Sequence, residues 1–102
     1  MRIGIVGGLD RGAPGIAEAA RAEGHELEFH RGHMSGPHSD SLRNLVKRVD
    51  LVIILTEINS HAAVQLARKE AKRSGRPTRI LRRLRPAHLH ELLREPPAAV
   101  AA

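Results

Sequence analysis

Residues 50–61 read DLVIILTEINSH. Five consecutive apolar residues, Leu51 to Leu55, form a run too short for a typical helix and rich in β-branched side chains. A strand that is apolar at every position, without alternation, is covered on both faces, as in a parallel sheet flanked by helices. The run then empties into Thr56, Glu57, Asn59, Ser60 and His61 before a helical pattern resumes. In parallel α/β sheets, ligands bind outside the carboxyl ends of the strands. This stretch therefore predicts both the fold class and the position of a site.

The flanking segments agree. RIGIVGG, at residues 2–8, is a short apolar strand ending in Gly7 and Gly8. APGIAEAARAEG reads as a helix with Pro14 in its first turn and Gly24 as its stop. HELEFH alternates Leu27 and Phe29 with polar neighbours, the pattern of an edge strand with one well-buried face. RGHMSGPHS is a loop by its Gly, Pro and Ser content. Leu42, Leu45, Val46 and Val49 fall at i, i+3, i+4 and i+7, an amphipathic helix with Ser39 or Asp40 as N-cap. After the central strand, NSHAAVQLARKEAKRSG predicts a helix capped by Asn59 or Ser60 and stopped at Gly75. A weaker fourth strand centres on Ile80 and Leu81. Pro86 opens a last helix with Leu89, Leu92 and Leu93 inward.

The order βαβαβαβα predicts a compact four-stranded parallel sheet in the order 2-1-3-4, half of a flavodoxin-like or Rossmann-like doubly wound domain, with helices on both faces. One α/β domain over residues 1–93 is expected, with 94–102 as an Ala- and Pro-rich tail.

Composition narrows the function. The chain has 102 residues and no cysteine, which removes disulfides, thiolate metal sites and cysteine nucleophiles. The opening MRIGIVGGLD lacks the apolar length of a signal peptide, and no run reaches the length of a membrane span, so a cytoplasmic location is expected. With 17 Lys and Arg against 11 Asp and Glu, the formal net charge is +6. Such charge suits an anionic small-molecule ligand or an acidic partner. Phe29 is the sole aromatic residue, which argues against a nucleic-acid binder that stacks bases.

Four strand ends would share one rim. They carry Gly7, Gly8 and Arg11; His30, Arg31 and His33; Thr56, Glu57, Asn59, Ser60 and His61; and Arg82, Arg83 and Arg85. The Gly7-Gly8 turn fits either a tight strand-to-helix connection or the approach of backbone N–H groups to phosphate. It matches neither G-x-G-x-x-G nor a P-loop. No acid ends the second strand, which argues against a standard dinucleotide site. Of seven histidines, His25, His88 and His90 read as surface residues, and His38 as a solvent-exposed loop residue. His30, His33 and His61 are the candidate metal ligands, although no recognised zinc spacing is present. Ser60-His61 invites a nucleophile–base reading, but Ser60 is more simply an N-cap and no G-x-S-x-G elbow exists. Glu57 is a conceivable base without a specified reaction.

The segments MRIGIVGG, H-x-G at His30 and Gly32, S-x-SLRNLVKRVDLVIILT-x-INSH and ARK-x-AK-x-x-GRP resemble a small, widely distributed bacterial family of unknown function. The resemblance runs to about Leu93 and implies a four-stranded Rossmann-like domain, with the recurring polar positions falling on His30, Gly32, Ser60 and His61. It also implies haem binding and homodimers. Some members carry cysteine pairs, which this chain lacks. On that footing the first expectation is a haem-binding protein with His30, His33 or His61 on iron, sensing or carrying haem or reacting with oxygen or peroxide. Arg11, Arg31, Arg82, Arg83 and Arg85 would meet the propionates. The alternatives are a binding module for a phosphorylated small molecule or nucleotide, using the Gly7-Gly8 turn and the arginines, and a regulatory interaction subunit. Whether the protein is an enzyme stays open at this point.

Overall fold

The computed structural model describes residues 1–8, 13–32, 38–57 and 59–94. The elements are β1 (Arg2–Val6), α1 (Ala13–Ala22), β2 (Glu26–His30), α2 (His38–Arg48), β3 (Leu51–Leu55), α3 (His61–Arg73), β4 (Thr78–Leu81) and α4 (Pro86–Arg94). The strands form one parallel sheet in the order β2-β1-β3-β4, as the sequence predicts. Since α2 begins at His38, Ser39 and Asp40 lie inside its first turn and do not cap it. Asp40 instead pairs with Arg43 one turn on. Arg94, assigned to the tail from the sequence, ends α4; the rest of the expected tail, 95–102, lies outside the described residues, as do Arg11, His33 and the side chain of His38.

Side-chain alternation divides the core in two. Ile3, Ile5, Leu51, Ile53 and Leu55 pack with Ile16, Ala20, Leu89 and Leu92 of α1 and α4. Val6, Val52 and Ile54 pack with Leu42, Leu45, Val46, Ala63, Ala67 and Ala71 of α2 and α3 on the other face. Every residue of β3 is buried, which is why its sequence shows no alternation. The well-buried face expected of β2 is not formed: the α1–α4 cluster reaches Leu27, which is half-buried, but not Phe29, which is 38% exposed. Gly4 lets α2 settle on β1: a Cβ there would stand 3.1 Å from Val49 Cγ2 and 3.2 Å from Leu45 Cδ2. Arg76 closes the C-terminal end of α2, its guanidinium donating to Lys47 O at 2.6 Å.

The chain leaves β1 through α1 to reach β2, then crosses on the opposite face through α2 to β3. Connections thus diverge between β1 and β3, and the crevice at their carboxyl ends is the switch point of the sheet. Among the described residues, no helix is long and apolar enough to cross a membrane.

Candidate functional site at the switch point

At the end of β1, Gly7 has φ +134°, a conformation that suits glycine. Its N–H donates to His30 O at 2.7 Å, extending the β1–β2 ladder by one step. A side chain at residue 7 would press on Leu55 Cβ, 2.9 Å away. The strand ends are therefore closely drawn together before any ligand is considered.

Asn59 holds them there. Its Nδ2 donates to Leu55 O at 2.8 Å and to Val6 O at 3.3 Å, the last carbonyls of β3 and β1. Its Oδ1 accepts the N–H of Ser60 at 2.9 Å. Ser60 then acts in two directions. Its hydroxyl donates to Gly32 O at 2.7 Å and accepts the N–H of Ala63 at 3.1 Å, which makes it the N-cap of α3. Val6, Leu55 and Gly32 belong to three different strand ends, so two adjacent side chains clasp the rim of β1, β2 and β3.

His30 completes the clasp from β2. It is 8% exposed, and its Nδ1 accepts the N–H of Gly32 at 3.0 Å. An imidazole nitrogen that accepts a backbone N–H carries no proton, so neutral His30 is protonated on Nε2. Metal-bound histidines ordinarily use the reverse arrangement, donating with the nitrogen that does not bind the metal.

The remaining rim residues divide into separate groups. Glu57 takes two hydrogen bonds from Arg83, from Nε at 2.6 Å and Nη2 at 2.9 Å. The N–H groups of Thr56 and Glu57 donate to Leu81 O and Arg82 O, so this pair closes the β3–β4 side. The hydrogen bonds from Arg83 hold the Glu57 carboxyl below its ordinary value, and the same pairing raises Arg83. His61 is exposed, with its Nε2 2.9 Å from Gln65 Nε2 one turn along α3. Arg31, Arg82 and Arg85 are exposed at the strand ends.

The structure thus joins Gly7, His30, Asn59 and Ser60 in one hydrogen-bonded unit and sets His61, Arg31, Arg82 and Arg83 around it. Ser60 Oγ is engaged with Gly32 and Ala63 while the His61 ring meets Gln65, so these two neighbours do not form a nucleophile–base pair. Among the described residues, no group of three or more His, Asp or Glu side chains is placed to hold a metal ion. Sequence reasoning did not foresee that Asn59 would bridge two strands. Nor did it foresee that His90, read as a surface residue, would bind Glu23 at 2.7 Å and tie α4 to the turn after α1.

The family model described as an uncharacterized protein conserved in bacteria, DUF2325, matches residues 2–95. The chain belongs to this family. No curated protein and no solved structure gives a match.

Proposed function

We propose that this member of the DUF2325 family is a binding module for a phosphorylated small molecule or nucleotide, held at the carboxyl rim of the sheet. The observation that carries the reading is the Asn59–Ser60 clasp. By fixing β1, β2 and β3 to the first turn of α3, it aims that helix terminus at the switch point. The first-turn N–H groups of His61 and Ala62 have no partner within the helix, and a helix N-terminus favours negative charge. Arg31, Arg82 and Arg85 add exposed cations at neighbouring strand ends. His30 stands where a dinucleotide site would place an acid for the ribose, and it is held by the backbone of Gly32. The ligand class is therefore one recognised mainly through its phosphate.

Haem is the second reading, favoured by the exposed imidazole of His61 on the rim. The residues fit it in part. Arg31 and Arg82 suit two propionates, while His30 presents a protonated Nε2 and does not suit iron while the Gly32 bond stands. The large exposed apolar side chains, among the described residues, are Met1, Phe29 and Ile80. Phe29 on β2 and Ile80 on β4 lie at opposite edges of the sheet and form no common wall. A porphyrin would need a second copy of the chain to cover it, so this reading carries a homodimer with it. Bound haem would supply redox and oxygen-binding chemistry.

Calorimetric titration with adenosine monophosphate, adenosine diphosphate and pyrophosphate, beside a haem titration followed by absorption, separates the two. Saturable binding of a phosphate compound, weakened at least tenfold in an Arg31→Glu, Arg82→Glu double variant that keeps its fold, supports the first reading. A Soret band lost in His61→Ala, with no phosphate binding, replaces it with the second. The absence of both signals contradicts both readings.

A further inference from the structure

β2 is the outermost strand on its side of the sheet, and its backbone is not exhausted by β1. The N–H of Glu26 donates to Met1 O, and His30 O accepts from Gly7, both on the β1 side. Along a strand the N–H and C=O of each residue point to the same edge, and successive residues alternate. Glu26, Glu28 and His30 therefore face β1, while Leu27 and Phe29 present their N–H and C=O groups outward. Among the described residues, no hydrogen bond engages these four groups.

A groove of about 660 Å³ runs along this edge, bounded by Arg21 of α1 on one side and Arg48 of α2 on the other. Its charges are unevenly matched. Arg48 Nε meets Glu28 Oε1 at 2.8 Å, and Arg2 Nε meets Glu26 Oε2 at 3.4 Å. Arg21 pairs with no carboxylate among the described residues. Phe29, the one aromatic side chain, is 38% exposed on the same strand face as Leu27.

We propose that the outer edge of β2 binds an extended acidic peptide segment by strand addition. The peptide pairs its backbone with Leu27 and Phe29, lays an apolar side chain on Phe29 and meets Arg21 with a carboxylate. Main-chain pairing supplies affinity without sequence preference, and the unmatched Arg21 selects for acid. A second copy of this chain suits the edge less well. The antiparallel register that uses Leu27 and Phe29 of both copies sets Glu28 opposite Glu28, and like charges directly across a ladder destabilise it.

The test is an array of hexapeptides carrying valine and glutamate two positions apart, so that both reach the Leu27–Phe29 face beside Arg21, with threonine at the alternate positions facing Glu28, and with lysine in place of glutamate as controls. The tightest binder is then carried into solution with a fluorescent label. Phe29→Pro deletes one outward donor without touching a β1 hydrogen bond, while Phe29→Ala keeps that donor. The proposal expects binding at least tenfold weaker in Phe29→Pro and in Arg21→Glu, and a smaller loss in Phe29→Ala, which gives up the apolar contact but keeps the backbone donor. It also expects slowed exchange of the Leu27 and Phe29 amides when peptide is bound. It is overturned if no acidic peptide binds, if lysine peptides bind equally, or if Phe29→Pro binds like wild type. It is overturned equally if these amides are already protected in a peptide-free dimer. None of these readouts involves the rim, so the edge and the rim stand or fall separately.

Discussion

Gly32 sits against the side-chain amide of Asn59, with no room for a Cβ between them: an added carbon would fall on Asn59 Oδ1. Gly32 also has φ +91°. Two costs therefore meet at one position, backbone strain and displacement of the clasp. Gly24 isolates the first, because it has φ +82° and open space where a Cβ would go. Gly24→Ala is expected to cost about 1–2 kcal/mol, the strain of a left-handed L-residue. Gly32→Ala is expected to cost about 2–4 kcal/mol, strain plus clash. Urea denaturation of both variants checks the difference between them.

Ser60 uses its hydroxyl both as donor, to Gly32 O, and as acceptor, from Ala63 N–H. Ser60→Ala loses both and is expected to destabilise by about 1–3 kcal/mol. Ser60→Thr keeps both and should stay close to wild type. Ser60→Asp keeps the cap but sets a carboxylate against the Gly32 carbonyl, so it should fall between Ala and Thr. Thermal melts of the three variants test the order. Equal losses in Asp and Ala would mean that the cross-strand bond, and not the cap, is what stabilises.

The Glu57–Arg83 pair predicts a pH dependence with a definite sign. Arg83 lowers the Glu57 carboxyl in the folded state. The contribution of the pair is fully present above the ordinary carboxylate range and is lost as the pH falls through the lowered folded value. Arg83→Gln should move the Glu57 titration, followed by carboxyl NMR, upward toward its ordinary position. Both groups are exposed, so in about 1 M salt the wild-type and variant titrations should converge.

Glu70 is buried between α2 and α3, its side chain 5% exposed, with Arg43 at 3.8 Å and Arg73 at 3.9 Å. Its Oε2 is enclosed and has no hydrogen-bond partner. A buried ion pair with such loose geometry recovers little of its desolvation cost, so Glu70→Met is expected to be neutral or stabilising by about 1 kcal/mol. Removing the partners instead, as Arg43→Ala with Arg73→Ala, strands the carboxylate and should destabilise. Chemical denaturation of the two variants distinguishes them by sign.

The sheet was legible because β3 is apolar on both faces while β2 alternates, and those patterns place one strand at the centre and the other at an edge. The N-cap role of Ser60 and the stops at Gly24 and Gly75 were legible for a similar reason: each depends on a few neighbouring residues. The clasp was not. Asn59 bonds carbonyls of Val6 and Leu55, and the pairing of residues 53 positions apart follows from strand order and register together. The same holds for Glu57 with Arg83 and for His90 with Glu23, whose partners lie on other elements. Sequence placed the start of α2 two or three residues late, because Ser39 and Asp40 favour caps but also suit a first helical turn.

The central claim is that the rim over the Asn59–Ser60 clasp binds a phosphate-bearing ligand. An amide-resolved NMR titration with adenosine diphosphate tests it most directly. Saturable shifts are expected, concentrated at Gly7, Gly8, Gly32, His61 and Ala62, with the β2-edge amides of Leu27 and Phe29 unmoved. Absence of saturable shifts, or shifts centred away from these strand ends, would contradict it.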